Sequence, residues 1–373
     1  MIRRTRVEVD LDAIVANARA VHARVGAAVY AVVKADGYGH GAIAVAKALV
    51  AAKACAGFCT SLVEEGVALR EAGVTSPILV MGPSQVGGED EVVAAGLTPV
   101  ISSREELASF AHVAAARGLS IDAHLKVDTG MGRLGVSIED AIELAASAAR
   151  AGVKLVGLMT HFACADTDDP ADPDSMTRAQ LRRFAEVDRA LVAAGVPLRV
   201  RHAANSSAAL LFPEARFDLV RTGIAIYGNG HFASEGHMAM RLVTAIAQIR
   251  NIARGASVGY GATWHASRDS RIAILPCGYA DGLPRSASGH AYVAIRGRRV
   301  PLVGRVSMDI AAADVTEIAD ASVGDAAVLL GRASGGATIT CAEYAAWTGL
   351  SEYEVTCGMS KRVPRVYPPE LAR

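Results

Sequence analysis

Residues 121–160 read IDAHLKVDTGMGRLGVSIEDAIELAASAARAGVKLVGLMT. An apolar run (121–127) is followed by an alanine-rich stretch of helical spacing (137–151), then Gly152, then a second apolar run (153–160). Apolar runs of this length, bounded by turn residues, read as buried strands, and the stretch between them as a crossover helix. The same unit recurs in both directions from here. Candidate strands lie at 29–33, 56–60, 77–81, 98–101, 121–127, 153–160, 199–203 and 217–221. Candidate helices lie near 40–54, 61–72, 87–95, 103–117, 137–151, 175–195 and 206–211, with a further one over about 11–24. Gly73, Gly96, Gly118, Gly152 and Gly195 each close a helical pattern just before the next strand, as a helix C-terminus prefers. Eight strands alternating with helices require a parallel sheet, either open and doubly wound or closed. The number of strands favours an N-terminal (β/α)8 TIM-type barrel. No Gly-x-Gly-x-x-Gly follows the first strand, which weakens the dinucleotide-binding alternative.

After about residue 235 the texture changes to short alternating segments at 240–252, 271–276, 291–296, 299–304, 306–315 and 325–331. Helical spacing returns only at 341–348. The expectation is a barrel domain over 1–235 and a mainly-β domain over 236–373, joined near 228–238, with the first ten residues packing on the β domain.

Composition narrows the class further. Among 373 residues, Lys+Arg and Asp+Glu are both 38, so the formal charge is zero and a basic footprint for nucleic acid is absent. Hydrophobic residues reach 51%, but much of this is alanine, and no apolar run of about 20 residues exists to span a bilayer. Glu8 and Asp10 fall where a signal peptide would place its apolar core. The chain reads as soluble and cytoplasmic. Its six cysteines form no Cys-x-x-Cys pair, and its ten histidines no His-Glu-x-x-His, so no metal is expected. Only six of the 38 basic residues are lysines, at 34, 47, 53, 126, 154 and 361.

Chemistry in such barrels gathers at the C-terminal strand ends. Lys34 ends the first strand, Lys126 and Asp128 the fifth, His161 the sixth and Arg221 the eighth. Arg133 follows the fifth strand, Asn205 and Ser206 the seventh, and Gly223 and Ile224 the eighth. Each has a bland alternative: a lysine at a strand end can snorkel to water, and Ser206 can be a plain helix cap. The run Asp-Gly-Tyr-Gly-His-Gly (36–41) is conformationally expensive and suggests backbone shaped around a ligand. Small residues and backbone donors after strands seven and eight suit a phosphate. A phosphate facing a lysine describes pyridoxal 5′-phosphate (PLP) bound as an imine to Lys34, a role closed to arginine, which does not deprotonate.

These residues sit in a familiar order. The sequence resembles the alanine racemase family through AVVKADGYGHG (31–41), HLKVDTGMGRLGV (124–136), MTHFACAD (159–166), HAANSSA (202–208) and FDLVRTGIAIYG (217–228). It continues with VGYGATW (258–264), GYADGLPR (278–285), GRVSMDI (304–310) and SEYEVTCGMSKRVPR (351–365). The resemblance implies that Lys34 carries PLP and serves as one catalytic base, with Tyr260 as the second. It places Arg221 at the pyridine nitrogen, His202 in support of Arg221, and His161 in the network around Tyr260. Tyr38, Ser206, Gly223, Ile224 and Tyr353 would hold the phosphate, with Asn205 also at the cofactor. Arg133 and the N–H of Met308 would meet the substrate carboxylate. The resemblance further implies a homodimer in which Tyr260 and Met308 come from the partner subunit, and D-alanine supply for peptidoglycan. Lys126 is a candidate for carbamylation that would orient Arg133; the alternative is a Lys126–Asp128 ion pair. Thr222, Gly37, Trp264 and Ser307 depart from the family's usual residues: Thr222 loosens the turn after Arg221, and Trp264 and Ser307 flank the substrate side and bear on specificity. Because Arg133 and Met308 would read only the carboxylate, a racemase for serine or lysine stays open. A PLP decarboxylase would be expected to set an acid, not Arg221, at the ring nitrogen. A PLP-carrying regulatory barrel would lack the β domain.

Overall fold

Strand β1 (Arg6–Val9) precedes the helix Leu11–Val25 and stands outside the barrel. The barrel strands are β2 (Ala28–Val32), β3 (Gly57–Thr60), β4 (Ile78–Val80) and β5 (Thr98–Ile101). They continue with β6 (Ile121–Lys126), β7 (Val153–Met159), β8 (Val200–His202) and β9 (Leu219–Thr222). Their order is β8-β7-β6-β5-β4-β3-β2-β9, parallel throughout. The two ends of this ladder are joined by Asp218 N–H to Arg201 O (3.1 Å) and Arg221 N–H to Ala204 O (3.0 Å). The result is an eight-stranded, nearly closed barrel, as the sequence leads one to expect. The computed structural model describes residues 3–83 and 87–368.

The strands are short and apolar because each is covered on both sides. β3 and β4 are buried at every position. The helices bury one stripe: Asp140–Arg150 buries Ala141, Leu144, Ala145 and Ala148, the i, i+3, i+4, i+7 pattern of an amphipathic helix. Ser103 opens the helix Arg104–Arg117 by accepting from Glu106 N–H, and Gly118 at φ 62° ends it. The other four helix-closing glycines also have positive φ.

The chain divides into two compact units. One comprises Ile14–Gly37 and Ala42–Gly236; the other comprises the segment through Ala13, Tyr38–Gly41 and the segment from His237 onward. The second unit contains β10 (Met240–Ala245), β11 (Gln248–Ile252), β12 (Ser257–Val258), β13 (Trp264–His265), β14 (Ser270–Leu275) and β15 (Tyr292–Ile295). It also contains β16 (Arg298–Pro301), β17 (Ala311–Asp314), β18 (Ala326–Arg332), β19 (Thr338–Ile339) and β20 (Arg365–Val366). Its main sheet runs β16-β15-β18-β10-β1-β20, with β19 on β18; β11-β14-β17 and β12-β13 form separate sheets. β1 pairs antiparallel with β10 and parallel with β20.

Two segments differ from their sequence reading. Residues 240–252 are two strands in different sheets, because Ile246 N–H turns to Asp325 O and Ala247 N–H to Ile274 O. Of 306–315 only β17 is a strand. Ser307 Oγ accepts from Ile310 N–H (3.1 Å) and donates to Ile310 O (2.8 Å), so a side chain closes a local turn in place of a ladder.

Candidate active site

In the barrel unit, β9 delivers Arg221 into a buried cluster of strand-end residues. Its Nη1 donates to His202 Nδ1 (2.7 Å), and its Nη2 donates to Thr160 O and Ala203 O (both 2.9 Å) and reaches His161 Nδ1 (3.2 Å). His202 Nε2 in turn lies 2.8 Å from His124 Nδ1 on β6. An arginine donates only, so His202 Nδ1 must accept, and its Nε2–H then donates to His124. Burial and the Arg221 charge hold His202 and His161 well below the usual histidine range, and His124 at about 4. All three imidazoles are therefore neutral beside a guanidinium that is 2% exposed. Burial lowers the Arg221 pKa to about 10, leaving it cationic at neutral pH. Among the described residues no carboxylate pairs with it. A buried cation without an anion is costly, and it marks a place for a further acceptor.

Next to Arg221, Ser206 Oγ accepts from Gly223 N–H (3.0 Å) and Ala225 N–H (3.4 Å). Asn205 caps the helix Ser206–Leu211 by accepting from Ala208 N–H (3.0 Å). Ile224 is 5% exposed, and its N–H finds no acceptor among the described residues. A buried, orphaned amide beside a serine hydroxyl and a helix start is a donor set suited to a phosphate.

Lys34 stands half-buried just past β2. The backbone then turns left-handed: Ala35, Asp36, Gly37 and Tyr38 have φ of 52°, 53°, 64° and 52°. For residues with a Cβ this conformation costs about 1–2 kcal/mol each, and only Gly37 escapes it. Strain of this kind collects at functional sites. Lysine, a cation with no carboxylate and an orphaned amide together fit PLP.

Lys126 ends β6 at 5% exposure. Burial, Arg133 and Arg221 lower its pKa to about 8. The expected alternative, an ion pair with Asp128, is not formed. Although burial opposes it, the N–H groups of Gly130, Met131 and Gly132 hold the Asp128 carboxyl below its ordinary range. Arg133 is exposed. The sequence reading missed His124. The signal was there, since His124 lies two residues before Lys126 and a strand repeats its face every second residue.

The remaining expected site residues belong to the other unit. Tyr38 and Tyr353 have ring centroids 5.9 Å apart. Tyr260 lies on a turn between β12 and β13 and is 71% exposed. Met308 is 53% exposed, and a clamp fixes its loop. Tyr279 N–H donates to Ser307 O and Ala280 N–H to Met308 O (both 3.0 Å). Asp281, fully buried, binds Arg3 and Arg362 (both 2.7 Å), and Arg362 reaches on to Asp309 (2.8 Å). A Cβ on Gly278 would lie 2.4 Å from Met308 O, so only glycine lets the two loops meet.

Fold and rim together define a (β/α)8-barrel enzyme with a β-rich second unit. Residues 9–230 match the description alanine racemase, N-terminal domain, and residues 239–367 match alanine racemase, C-terminal domain. Alanine racemase of Sorangium cellulosum is 43% identical over 98% of this chain and 99% of that protein. The solved alanine racemase of the D-cycloserine producer Streptomyces lavendulae superposes with a TM-score of 0.92 at 36% identity, covering 100% of this chain and 98% of the other. That of Bartonella henselae, with covalently bound pyridoxal phosphate, superposes at 0.87 and 28% identity, covering 98% and 99%. The chain belongs to the alanine racemase family, enzymes that isomerise amino acids with PLP. Among the described residues no helix is long and apolar enough to cross a membrane, and no cluster of His, Cys, Asp or Glu could hold a metal ion.

Proposed function

We propose that this chain interconverts L- and D-alanine with PLP, using Lys34 and Tyr260 as bases on opposite faces of the substrate. The observation that carries the reading is Arg221, a buried cation whose partners are neutral imidazoles and carbonyls, set beside an orphaned Ile224 amide. When bound, PLP supplies an electron sink that makes the Cα–H acidic. Lys34 would hold the cofactor through its amine. Ser206 and the N–H groups of Gly223 and Ile224 would hold the phosphate, with Tyr38 and Tyr353. Asn205 acts through the helix start that it caps. Arg221 would face the ring nitrogen, and because a guanidinium donates and does not readily give up its proton, it would leave that nitrogen unprotonated. His202 fixes the guanidinium plane, and His161 touches its other edge.

The chain's own groups then move the protons. Of Lys34 Nζ and Tyr260 Oη, the unprotonated one takes the Cα proton from its face while the protonated one gives its own proton to the opposite face, so inversion needs both and leaves their protonation states exchanged. Arg133 and the Met308 N–H hold the substrate carboxylate. Lys126, carbamylated, would accept from Arg133; a pKa near 8 favours the neutral amine that this modification requires. We further infer a cytoplasmic homodimer whose second subunit supplies Tyr260 and Met308. In this division residues 1–235, apart from a first segment that goes with the β domain, form the barrel domain that carries Lys34 and most of the cofactor's holders, and 236–373 form the β domain. The product D-alanine would serve peptidoglycan.

Borohydride reduction of the purified protein followed by peptide mapping tests the reading. The pyridoxyl group is expected on the peptide containing Lys34, and alanine is expected to react faster than serine or lysine. Label on any other lysine refutes the site. A preference for lysine refutes the substrate.

A further inference from the structure

We propose that Glu65 is a positioning residue for Lys34, its carboxylate pinning the left-handed turn that starts at the next residue; this rests on Lys34 being the amine that bears the cofactor. The ladder of β2 continues one residue beyond the strand, with Val33 N–H on Cys59 O (3.0 Å). Lys34 follows, and then the four left-handed residues begin. Gly37 N–H returns to Val33 O (2.8 Å), and Asp36 Oδ1 accepts from Ala42 N–H (2.9 Å), so the turn closes on itself and at its far end. Its near end has a different anchor. Ala35 N–H donates to Glu65 Oε1 at 2.6 Å, across 30 residues of sequence.

Glu65 lies on the helix Val63–Glu71, which follows β3, the neighbour of β2 in the barrel. Its other oxygen, Oε2, accepts from Ser61 N–H (2.8 Å) and Leu62 N–H (3.1 Å). A helix cap alone would account for Oε2 and leave Oε1 to water. The contact from Oε1 to Ala35 is instead a charge-assisted bond to the residue beside the reactive amine. Three N–H donors surround the two oxygens. Glutamine cannot serve all of them, because its amide nitrogen would face donors on one side. The consequence concerns aim. With one end released, Ala35 can relax toward negative φ, and the Lys34 side chain swings with its backbone.

The test compares full-length Glu65→Gln with Glu64→Gln, an exposed neighbour in the same helix turn. Both lose one charge from the helix start, so the difference reports the hydrogen bonds of Glu65, and the place of the exchange change separates the Ala35 contact from the cap on Ser61 and Leu62. In the wild-type protein the Ala35 amide should be protected from hydrogen exchange. In Glu65→Gln the peptide spanning 33–38 should exchange about 10- to 100-fold faster, the loss expected for one charge-assisted hydrogen bond. The kcat should fall about tenfold with KM within about twofold, since misaim costs turnover more than binding. Ala35→Gly added to Glu65→Gln should recover turnover, because glycine adopts positive φ without help. Faster exchange confined to residues 60–66, unchanged kcat, or no rescue would show that Glu65 only caps its helix. If Glu65→Gln does not fold, an unprotected Ala35 amide in the wild-type protein overturns the proposal by itself. Pyridoxyl label away from Lys34 sinks the reading of Lys34 and this inference with it. Label on Lys34 with unaltered exchange sinks the inference alone.

Discussion

Lys126 shows how a single residue takes its chemistry from its surroundings. It is nearly buried, two arginines bear on it, and its ammonium form is disfavoured to a pKa of about 8. Below that pH the amine is mostly protonated and adds carbon dioxide only through its neutral minority; above it the neutral amine dominates. Mass analysis is expected to find a carbon dioxide-sized increment on the peptide containing Lys126, lost on acidification. After acidification, bicarbonate should restore activity more readily above pH 8 than below it. An unmodified lysine and indifference to bicarbonate would leave it a plain cation. Arginine at this position could take no part in such chemistry, so Lys126→Arg should not regain the modification.

Neighbouring elements decide whether the Arg221 network can exist. His124 on β6 pairs in register with Gly157 on β7, and its ring lies over the glycine. A Cβ at residue 157 would sit 2.5 Å from the imidazole, well inside contact distance. Gly157→Ala is therefore expected to destabilise the barrel by about 1–3 kcal/mol, through overpacking. It should also displace His124 from His202. Urea unfolding reads the first effect. A weakened PLP affinity reads the second, because His202 sets the plane of Arg221. Unchanged stability would mean that the ring moves aside freely.

Protonation acts on the whole molecule. His124 and His202 are buried and neutral when folded, with pKa values below the ordinary 6.5. Unfolded, each takes up its proton near that value. Between about pH 6.5 and 4 the unfolded chain binds more protons than the folded one, so stability falls as pH falls through this window. The slope is at most about 1.4 kcal/mol per pH unit for each histidine. Asp281 acts in the same direction but later. Burial opposes it, yet its arginines hold its carboxyl below the usual range, so its contribution is lost only below the unfolded carboxylate pKa. Urea midpoints are expected to drop between pH 7 and 5, before carboxylates titrate. A flat profile there would mean that the imidazoles are charged in the fold.

The amino-acid sequence by itself determined the eight barrel strands, the helices between them and the rim on which Lys34, Lys126, His161 and Arg221 stand. Period, glycine punctuation and the strand-end rule are local signals, and each barrel element carries its own. The β-rich half was less legible. Strand β1 is only four residues long, and its partners β10 and β20 are more than two hundred residues away. The split of 240–252 depends on which distant carbonyls its amides meet. The resemblance already set His202 beside Arg221, but only the tertiary structure decided that no carboxylate among the described residues pairs with it. Only there does His124 join the chain of hydrogen bonds, and only there does Glu65 reach Ala35. A residue's chemical type is written in its own position, but its charge environment is set by whatever the fold brings within a few ångströms.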